Sequence, residues 1–489
     1  MNKTSIIIIL LIIALGLRIY DINNTFGFYG DQGRDLLDII RWFKTGNIPL
    51  TGPSVSVGDF HLGPIYYYLI APFLIIFQYH PIAGAYFALF YGMIFILVSF
   101  LLIERLIDKP TALIFCLLVT FSPMAIFLSR VNWNPNLQPL MTILLIFSAI
   151  QFIRSNRFLF IFLSGVLIGM GVQFHYTFLS NILSLVVALL IFKTKAVLHF
   201  KTWTFFLIGF IIPLLPFFIG QIQNNFLDIT NLQIYLERTK DAKSTFLFQT
   251  LIDRLFFPFY VFFPTPNLPW FVRFLAVPIW LVVLLSVVLI SFSKIRVAFF
   301  SKIILTFFLV GSLQSMIART NFYHHYYFNL GIISVLLVSI YIAYLYQHAR
   351  LRFIWILPLS LLLWWEIDSI PKSLETNRDL KIVLETTQFI VNDVKSSEYD
   401  PAIGIFVMSP ATIHQGFEYR YVLEKEGSNT FSSSRPDSAD YLIIEKTNNK
   451  SINFKSADSQ RKVLKIGDLS FDTKFGVIKY VEVYKIKKI

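Results

Sequence analysis

Apolar runs of about 16–24 residues recur along the chain, each long enough to cross a hydrocarbon core about 30 Å thick. They lie near 4–20, 82–103, 110–129, 137–153, 158–174, 177–192, 204–222, 270–292, 303–318, 328–347 and 353–367. The pattern predicts about 11 transmembrane helices. No small-x-small cleavage site follows the first run, which therefore reads as an uncleaved span. The intervening loops are of two kinds. Short basic loops such as "RSNR", "KTKAVLHFK" and "QHARLR" alternate with longer loops over 21–81, 130–136, 223–269 and 319–327. Basic loops stay in the cytoplasm, which places the N-terminus inside and the longer loops outside. "GPIYYYLIAPFLIIF" (63–77) is apolar but short, and a crossing there would invert every later loop. It reads as a re-entrant or interfacial helix, with its three tyrosines at the lipid–water boundary.

After residue 371 the pattern changes. "ETNRDLKIVLETTQFIVNDV" has the period of an amphipathic helix, "AIGIFVMS" and "YLIIEK" read as buried strands, and "VIKYVEVYKI" alternates as one half-exposed strand. Two domains are expected: a membrane domain over 1–371, and a small extracytoplasmic α/β domain over 372–489. Composition agrees with the first assignment. With 56% hydrophobic and only 15% charged residues, the chain has too much apolar surface for a water-soluble core. The net charge of +13 is read as cytoplasmic retention and contact with anionic lipid heads, not as a nucleic-acid surface. Cys116 is the single cysteine, so no intrachain disulfide forms.

The charge that is present concentrates after the first span. In "NTFGFYGDQGRDLLDIIRWFKTG" (24–46), Asp31, Arg34, Asp35, Asp38 and Arg41 share one helical stripe, and Leu36, Leu37, Ile40 and Phe43 the other. Asp31 after Gly30 has the look of an N-cap, and the stripe could be no more than a solvated face with i,i+3 and i,i+4 pairs. The loop, however, continues through "GNIPLTGPSVSVGDFHLGP", with Asp59 and His61, and is far longer than a connection requires.

"FYGDQGRDLLDIIRWFKTGNIPLTGP…HLGPIYYYLIAPF" resembles the first external loop of membrane glycosyltransferases of the GT-C fold. It is most similar to the family-39 group of protein O-mannosyltransferases and aminoarabinose transferases. That group carries an acidic pair, often Asp-Glu, at the loop start; here it is Asp31-Gln32. "SRVNWNPNLQPL" (129–140) and "GVQFHYT" (171–177) sit where the group has further external motifs. The resemblance implies a polyprenyl-phosphate sugar as donor, an extracytoplasmic glycan, lipid or protein as acceptor, and Asp31 as the general base.

The donor phosphate needs fixed positive groups. Arg130, Arg238, Lys240, Arg254, Arg319, His324 and His325 are the external membrane-edge candidates, with "ARTNFYHHYYFN" (318–329) favoured. An interfacial aromatic belt with a snorkelling Arg319 is the competing reading. Arg34, Asp35, His61, Asn134 and His175 complete the expected substrate contacts. Asn134 lies in an Asn-Pro turn, and the adjacent Trp133 offers a face to a sugar ring. Asp31, Asp35, Asp59 and His61 could assemble a divalent-cation site, but their spacing fixes no ligand set. The 223–269 loop, with "FFPFYVFFPTPNLPW", is expected to form a lid. Two other functions compete: an O-antigen-type polymerase or ligase, and a lipid or solute transporter gated by the acidic helix.

Overall fold

The computed structural model describes residues 3–55, 59–238, 248–263, 270–317, 323–348, 353–374, 380–396, 402–408, 413–432, 439–445, 471–478 and 481–486. The chain is a multi-pass helical membrane protein with a small mixed sheet at its C-terminal end. Among the described residues, five helices meet both the length and the hydropathy needed to cross a bilayer: Ala83–Leu106, Asn134–Ser155, Phe200–Gln223, Arg296–Ser315 and His324–His348. Shorter apolar helices, Lys109–Phe121 and Phe158–Phe174 among them, pack between them. Lipid tails are as apolar as leucine, so close backbone contact has to supply the packing energy. The helices Phe158–Phe174 and Phe200–Gln223 achieve it with glycine. A Cβ on Gly165 would lie 2.1 Å from the Phe206 carbonyl oxygen, and one on Gly209 would lie 2.1 Å from that of Phe162.

The N-terminal helix Lys3–Ile19 is anchored by buried Arg18. Its guanidinium donates to the Ser129 hydroxyl at 3.1 Å and to the carbonyls of Val119 and Thr120 at 3.0 and 3.2 Å. These partners satisfy a cation that could not otherwise sit in the membrane interior.

The helix Gly30–Thr45 starts one residue before the expected cap. Tyr29 holds the N-cap position, and its backbone N–H donates to Gln32 Oε1 at 3.1 Å. Gln32 therefore closes the first turn, and the Asp31 carboxylate is left for other partners. The helix ends at Gly46, which adopts φ 73°. The following helix, Ile65–Ile76, has 12 residues and spans only about 18 Å at 1.5 Å per residue. Its tyrosines do not form a boundary belt. Tyr66 and Tyr67 are buried, and Tyr67 donates to Asp38 at 2.9 Å; only Tyr68 is half-buried, donating to the Pro49 carbonyl at 2.5 Å.

The segment expected as a lid over 223–269 contains two helices, Leu227–Arg238 and Phe248–Phe262. The second is part of the packed body: Phe256, Phe259 and Phe262 are buried, and Phe259 stacks on Trp280 at 5.0 Å. Ser122 Oγ donates to the Phe262 carbonyl at 3.0 Å. Residues 239–247 and 264–269 of that expected lid lie outside the described residues.

The C-terminal sheet has strands β1 (Ile403–Met408), β2 (Ile413–His414), β3 (Thr430–Ser432), β4 (Tyr441–Glu445), β5 (Phe471–Ile478) and β6 (Val481–Ile486). Their order is β2-β1-β4-β6-β5, with β3 beside β1. β1 is parallel to β3 and β4, while β6 is antiparallel to β4 and β5. The run "VIKYVEVYKI", expected as one strand, covers the end of β5 and all of β6, a hairpin. Helices Leu380–Ser396 and Phe417–Lys425 belong to the same unit, which sits directly on the helix Gly30–Thr45. Arg41 grips Glu424 through two nitrogens at 3.1 and 2.5 Å, and Lys44 donates to the Glu424 carbonyl at 2.6 Å. The Leu380 amide bonds to the Phe26 carbonyl at 2.9 Å, and Tyr421 donates to the Tyr79 carbonyl at 2.7 Å.

Candidate active site

The Gly30–Thr45 helix carries Asp31 and Arg34 one turn apart, facing the loop that returns at Ser54. Arg34 Nη1 donates to Asp31 Oδ1 and to the Ser54 carbonyl, each at 3.1 Å. Its other face grips fully buried Asp35, with Nε at 2.9 Å and Nη2 at 2.8 Å. The guanidinium thus bridges two of the carboxylates that could have assembled a divalent-cation site. Among the described residues, no three His, Cys, Asp or Glu side chains gather as a metal site. The other two members of that expected set are elsewhere. Asp59 is exposed, and His61 is held by Asp228, its Nδ1 lying 2.8 Å from Oδ1. Burial pushes Asp35 up to about 7 even though Arg34 pulls the other way. Asp38, bonded to Tyr67, is raised by burial as well.

Asp31 keeps 42% of its side chain exposed. Its second oxygen accepts from Trp133 Nε1 at 3.2 Å. Trp133 is delivered by the Asn-Pro turn, whose asparagines hold backbone. Asn136 Nδ2 donates to the carbonyls of Leu128 and Val131 at 2.9 and 2.6 Å, and Asn134 Nδ2 to that of Phe174 at 2.6 Å. Asn134 borders the cavity below, but its amide N–H is already engaged.

Beside Trp133 lie two imidazoles. The His325 ring meets Trp133 edge-on at 4.8 Å and His175 edge-on at 5.2 Å. His175 follows the last turn of Phe158–Phe174. Its Nδ1 accepts the Thr177 backbone N–H at 3.3 Å and faces Thr177 Oγ1 at 2.8 Å. Burial, with His325 contributing, pushes the His175 ring down to about 3, so the imidazole is neutral.

Asp31, Arg34, Trp133, His175, Tyr235 and His325 surround a cavity of about 300 Å³, within the range of small-molecule sites. A second cavity of about 340 Å³ adjoins it, and the two share Tyr176, Thr177 and Tyr326 as a common wall. The second is bordered by Arg254, Gln314, Tyr327 and Asn329. Arg254 is buried and hydrogen-bonded to the Tyr327 hydroxyl.

The structure therefore sorts the expected residues. Asp31, Arg34, Asn134, His175 and His325 converge on one cavity, and Asp35 stands directly behind it. His61 supports it from outside, its carbonyl accepting from Tyr176 at 2.6 Å. Arg130 takes no part. It is buried at the end of the N-terminal helix, donating to the carbonyls of Arg18 and Tyr20 at 2.6 and 2.9 Å and to Thr25. Orphan carbonyls at a helix end draw in such a cation. His324 points away from its neighbour, toward the Phe257 ring at 5.4 Å. Arg319 and Lys240 lie outside the described residues. Asp228 and Tyr176 were not singled out in the sequence, and Arg254 was named only among many basic positions. Arg254 drew no preference because its helix reads as loop.

The family model described as dolichyl-phosphate-mannose-protein mannosyltransferase matches residues 61–219. No curated protein matches the chain. The fold is similar to that of ArnT from Cupriavidus metallidurans bound to undecaprenyl phosphate, with a TM-score of 0.62, 11% identity, and coverage of 99% of this chain and 98% of that one. The apo state of the same protein gives 0.64, 10%, 98% and 98%. The Archaeoglobus fulgidus oligosaccharyltransferase in complex with Zn and sulfate gives 0.52 at 12% identity, covering 90% of this chain and 68% of that one. The family match over 61–219 and the fold shared along the whole chain make this protein similar to GT-C fold membrane glycosyltransferases of the protein-mannosyltransferase and ArnT type.

Proposed function

We propose that the protein transfers a sugar from a polyprenyl-phosphate donor to a hydroxyl-bearing extracytoplasmic acceptor, with Asp31 as general base. The observation that carries this reading is the half-exposed Asp31 carboxylate at a cavity that shares a wall with a second, arginine-bearing one. The sugar occupies the Asp31 cavity and the lipid phosphate the Arg254 cavity. The acceptor hydroxyl attacks the anomeric carbon, and its proton passes to Asp31. The bond from that carbon to the phosphate oxygen breaks, and the lipid phosphate departs with the electron pair. Arg254, held by Tyr327, meets the growing negative charge. Arg34 and Trp133 fix the Asp31 oxygens so that the carboxylate need not reorganise during attack.

ArnT from C. metallidurans has been seen with undecaprenyl phosphate, which supports a lipid phosphate as the leaving group here. Asp31→Asn in the purified full chain should lower release of free lipid phosphate by at least about 100-fold, the usual scale for a lost general base. Binding of undecaprenyl phosphate should be unchanged. Wild-type turnover by that variant would remove the assignment.

A further inference from the structure

The Asp31 cavity is lined largely by apolar and aromatic groups, and its few charges are already matched to one another. Arg34 is shared among Asp31, Asp35 and the Ser54 carbonyl. Asp35 is fully buried behind it. Asp31 accepts from Arg34 and Trp133, and on the glycosyl-transfer reading its free edge takes the acceptor proton. An ammonium on the sugar would compete for that edge with the acceptor. A carboxylate on the sugar would face Asp31 with no uncommitted cation among the described cavity residues. The carboxylate would be taken out of water without a partner, and the ammonium would occupy the carboxylate edge that has to take the proton.

His175 is prepared for a different kind of contact. A backbone N–H can only donate, so the bond from Thr177 to Nδ1 fixes Nδ1 as an acceptor. The ring proton is then on Nε2. Nε2 has no hydrogen-bond partner among the described residues, while the ring borders the cavity. Burial keeps the ring neutral across the working pH range. A neutral donor of fixed tautomer at the cavity wall suits a hydroxyl oxygen.

We propose that His175 determines donor specificity: its Nε2–H donates to one hydroxyl of the transferred sugar, in a cavity that accepts an uncharged hexose or pentose. The inference rests on the glycosyl-transfer reading above. A site built to hydrogen-bond one hydroxyl rejects the analogue lacking it, because its own buried donor is left unpaired. His175→Asn separates this role from the local fold. Its Oδ1 can still accept the Thr177 N–H, but nothing remains at the Nε2 position. His175→Gln supplies an amide N–H near Nε2 instead.

The test uses the purified full chain with polyprenyl-phosphate donors carrying mannose, glucose, arabinose, aminoarabinose or glucuronate, together with monodeoxy forms of the best neutral sugar. Release of free lipid phosphate is the readout. Neutral donors should turn over about 100-fold faster than either charged one, and one monodeoxy donor should be about 10–100-fold slower than its parent. His175→Asn should process that deoxy donor and its parent at the same rate, and His175→Gln should regain part of the discrimination. A general loss of folding would slow all donors alike and leave the ratio untouched. Equal turnover of aminoarabinose or glucuronate would overturn the uncharged-sugar assignment while leaving glycosyl transfer intact. A wild type indifferent to every missing hydroxyl, or an unchanged ratio in His175→Asn, would overturn the role of His175. Release from none of the donors would instead reject the glycosyl-transfer reading, and this inference with it.

Discussion

Arg34 connects two carboxylates with different surroundings, and that difference sets a pH dependence. Asp35 is fully buried and held up to about 7 by burial, whereas Asp31 is 42% exposed. Below about pH 7 Asp35 is neutral, and the guanidinium leans on Asp31 alone. Above it Asp35 ionises and shares the Arg34 charge, which leaves more net negative charge beside the attacking hydroxyl while Arg34 still holds Asp31 in place. Transfer should therefore rise with pH through about 7, with a slope of one proton. Asp35→Asn should remove that limb and hold the rate about tenfold below wild type at pH 8. His175 does not contribute, since it is neutral throughout this window. Stability runs the other way. A carboxyl whose folded value lies above its unfolded value near ~4 contributes stability at low pH that is lost as pH rises toward about 7. The thermal midpoint of Asp35→Asn should accordingly vary less between pH 5 and 8 than that of wild type. An unchanged limb in the variant would show that Asp35 is not the titrating group. The stripe of alternating charge made these residues visible in the sequence. Their division of labour was not, because burial decides it, and burial follows from the Tyr67 helix and from the contact with the C-terminal unit.

At the scale of elements, the contact between the Gly30–Thr45 helix and the Phe417–Lys425 helix explains why Asp31 is held still. Gly33 permits it: a Cβ there would lie 2.3 Å from the Glu418 nitrogen and 2.4 Å from its Cα. Both atoms are backbone and cannot rotate away. Gly33→Ala should therefore destabilise the protein by about 1–3 kcal/mol, as overpacking does, and slow transfer by shifting Asp31. Arg41→Ala should cost about 1–2 kcal/mol, because Glu424 keeps its bond from Thr430 at 2.7 Å. Thermal unfolding of the two variants would test this, and an unaltered midpoint for both would show that the interface contributes nothing. Sequence periodicity gave the amphipathic character of the Gly30–Thr45 helix but not its partner, some 380 residues away. Local pattern misled where a helix is apolar on most faces. Phe248–Phe262 is interrupted by Pro258 and flanked by further prolines, and so it resembled a loop. Turn chemistry was equally blind at β5–β6, where the alternation of one strand runs on into the next without a Gly or Asn to mark the hairpin.

For the molecule as a whole, the same interface constrains how the chain crosses the membrane. The Gly30–Thr45 helix and the C-terminal sheet unit touch through Arg41, Lys44 and Tyr421. They must share one side of the bilayer, and the chain between them must cross an even number of times. The ten apolar runs read from 82–103 to 353–367 satisfy this. Adding only one of the short helices Ile65–Ile76 and Phe248–Phe262 as a crossing would break it, so the two either both cross or both stay. A crossing by both would put the basic loops between them, "RSNR" among them, outside, so on the positive-inside rule we take both as non-crossing. On the positive-inside reading of the basic loops, we propose that the N-terminus lies in the cytoplasm and that both the Asp31 cavity and the C-terminal unit lie outside it. An enzymatic reporter that is active only outside the cytoplasm should be active when fused after Ile489. It should be silent when inserted in the basic loop at Ser155–Asn156 and active again when inserted after Tyr20. Activity at Ser155–Asn156 with silence after Ile489 would invert the arrangement. Opposite signals from Tyr20 and Ile489 would contradict the contact that joins the two units, and with it the enclosure of the Asp31 cavity.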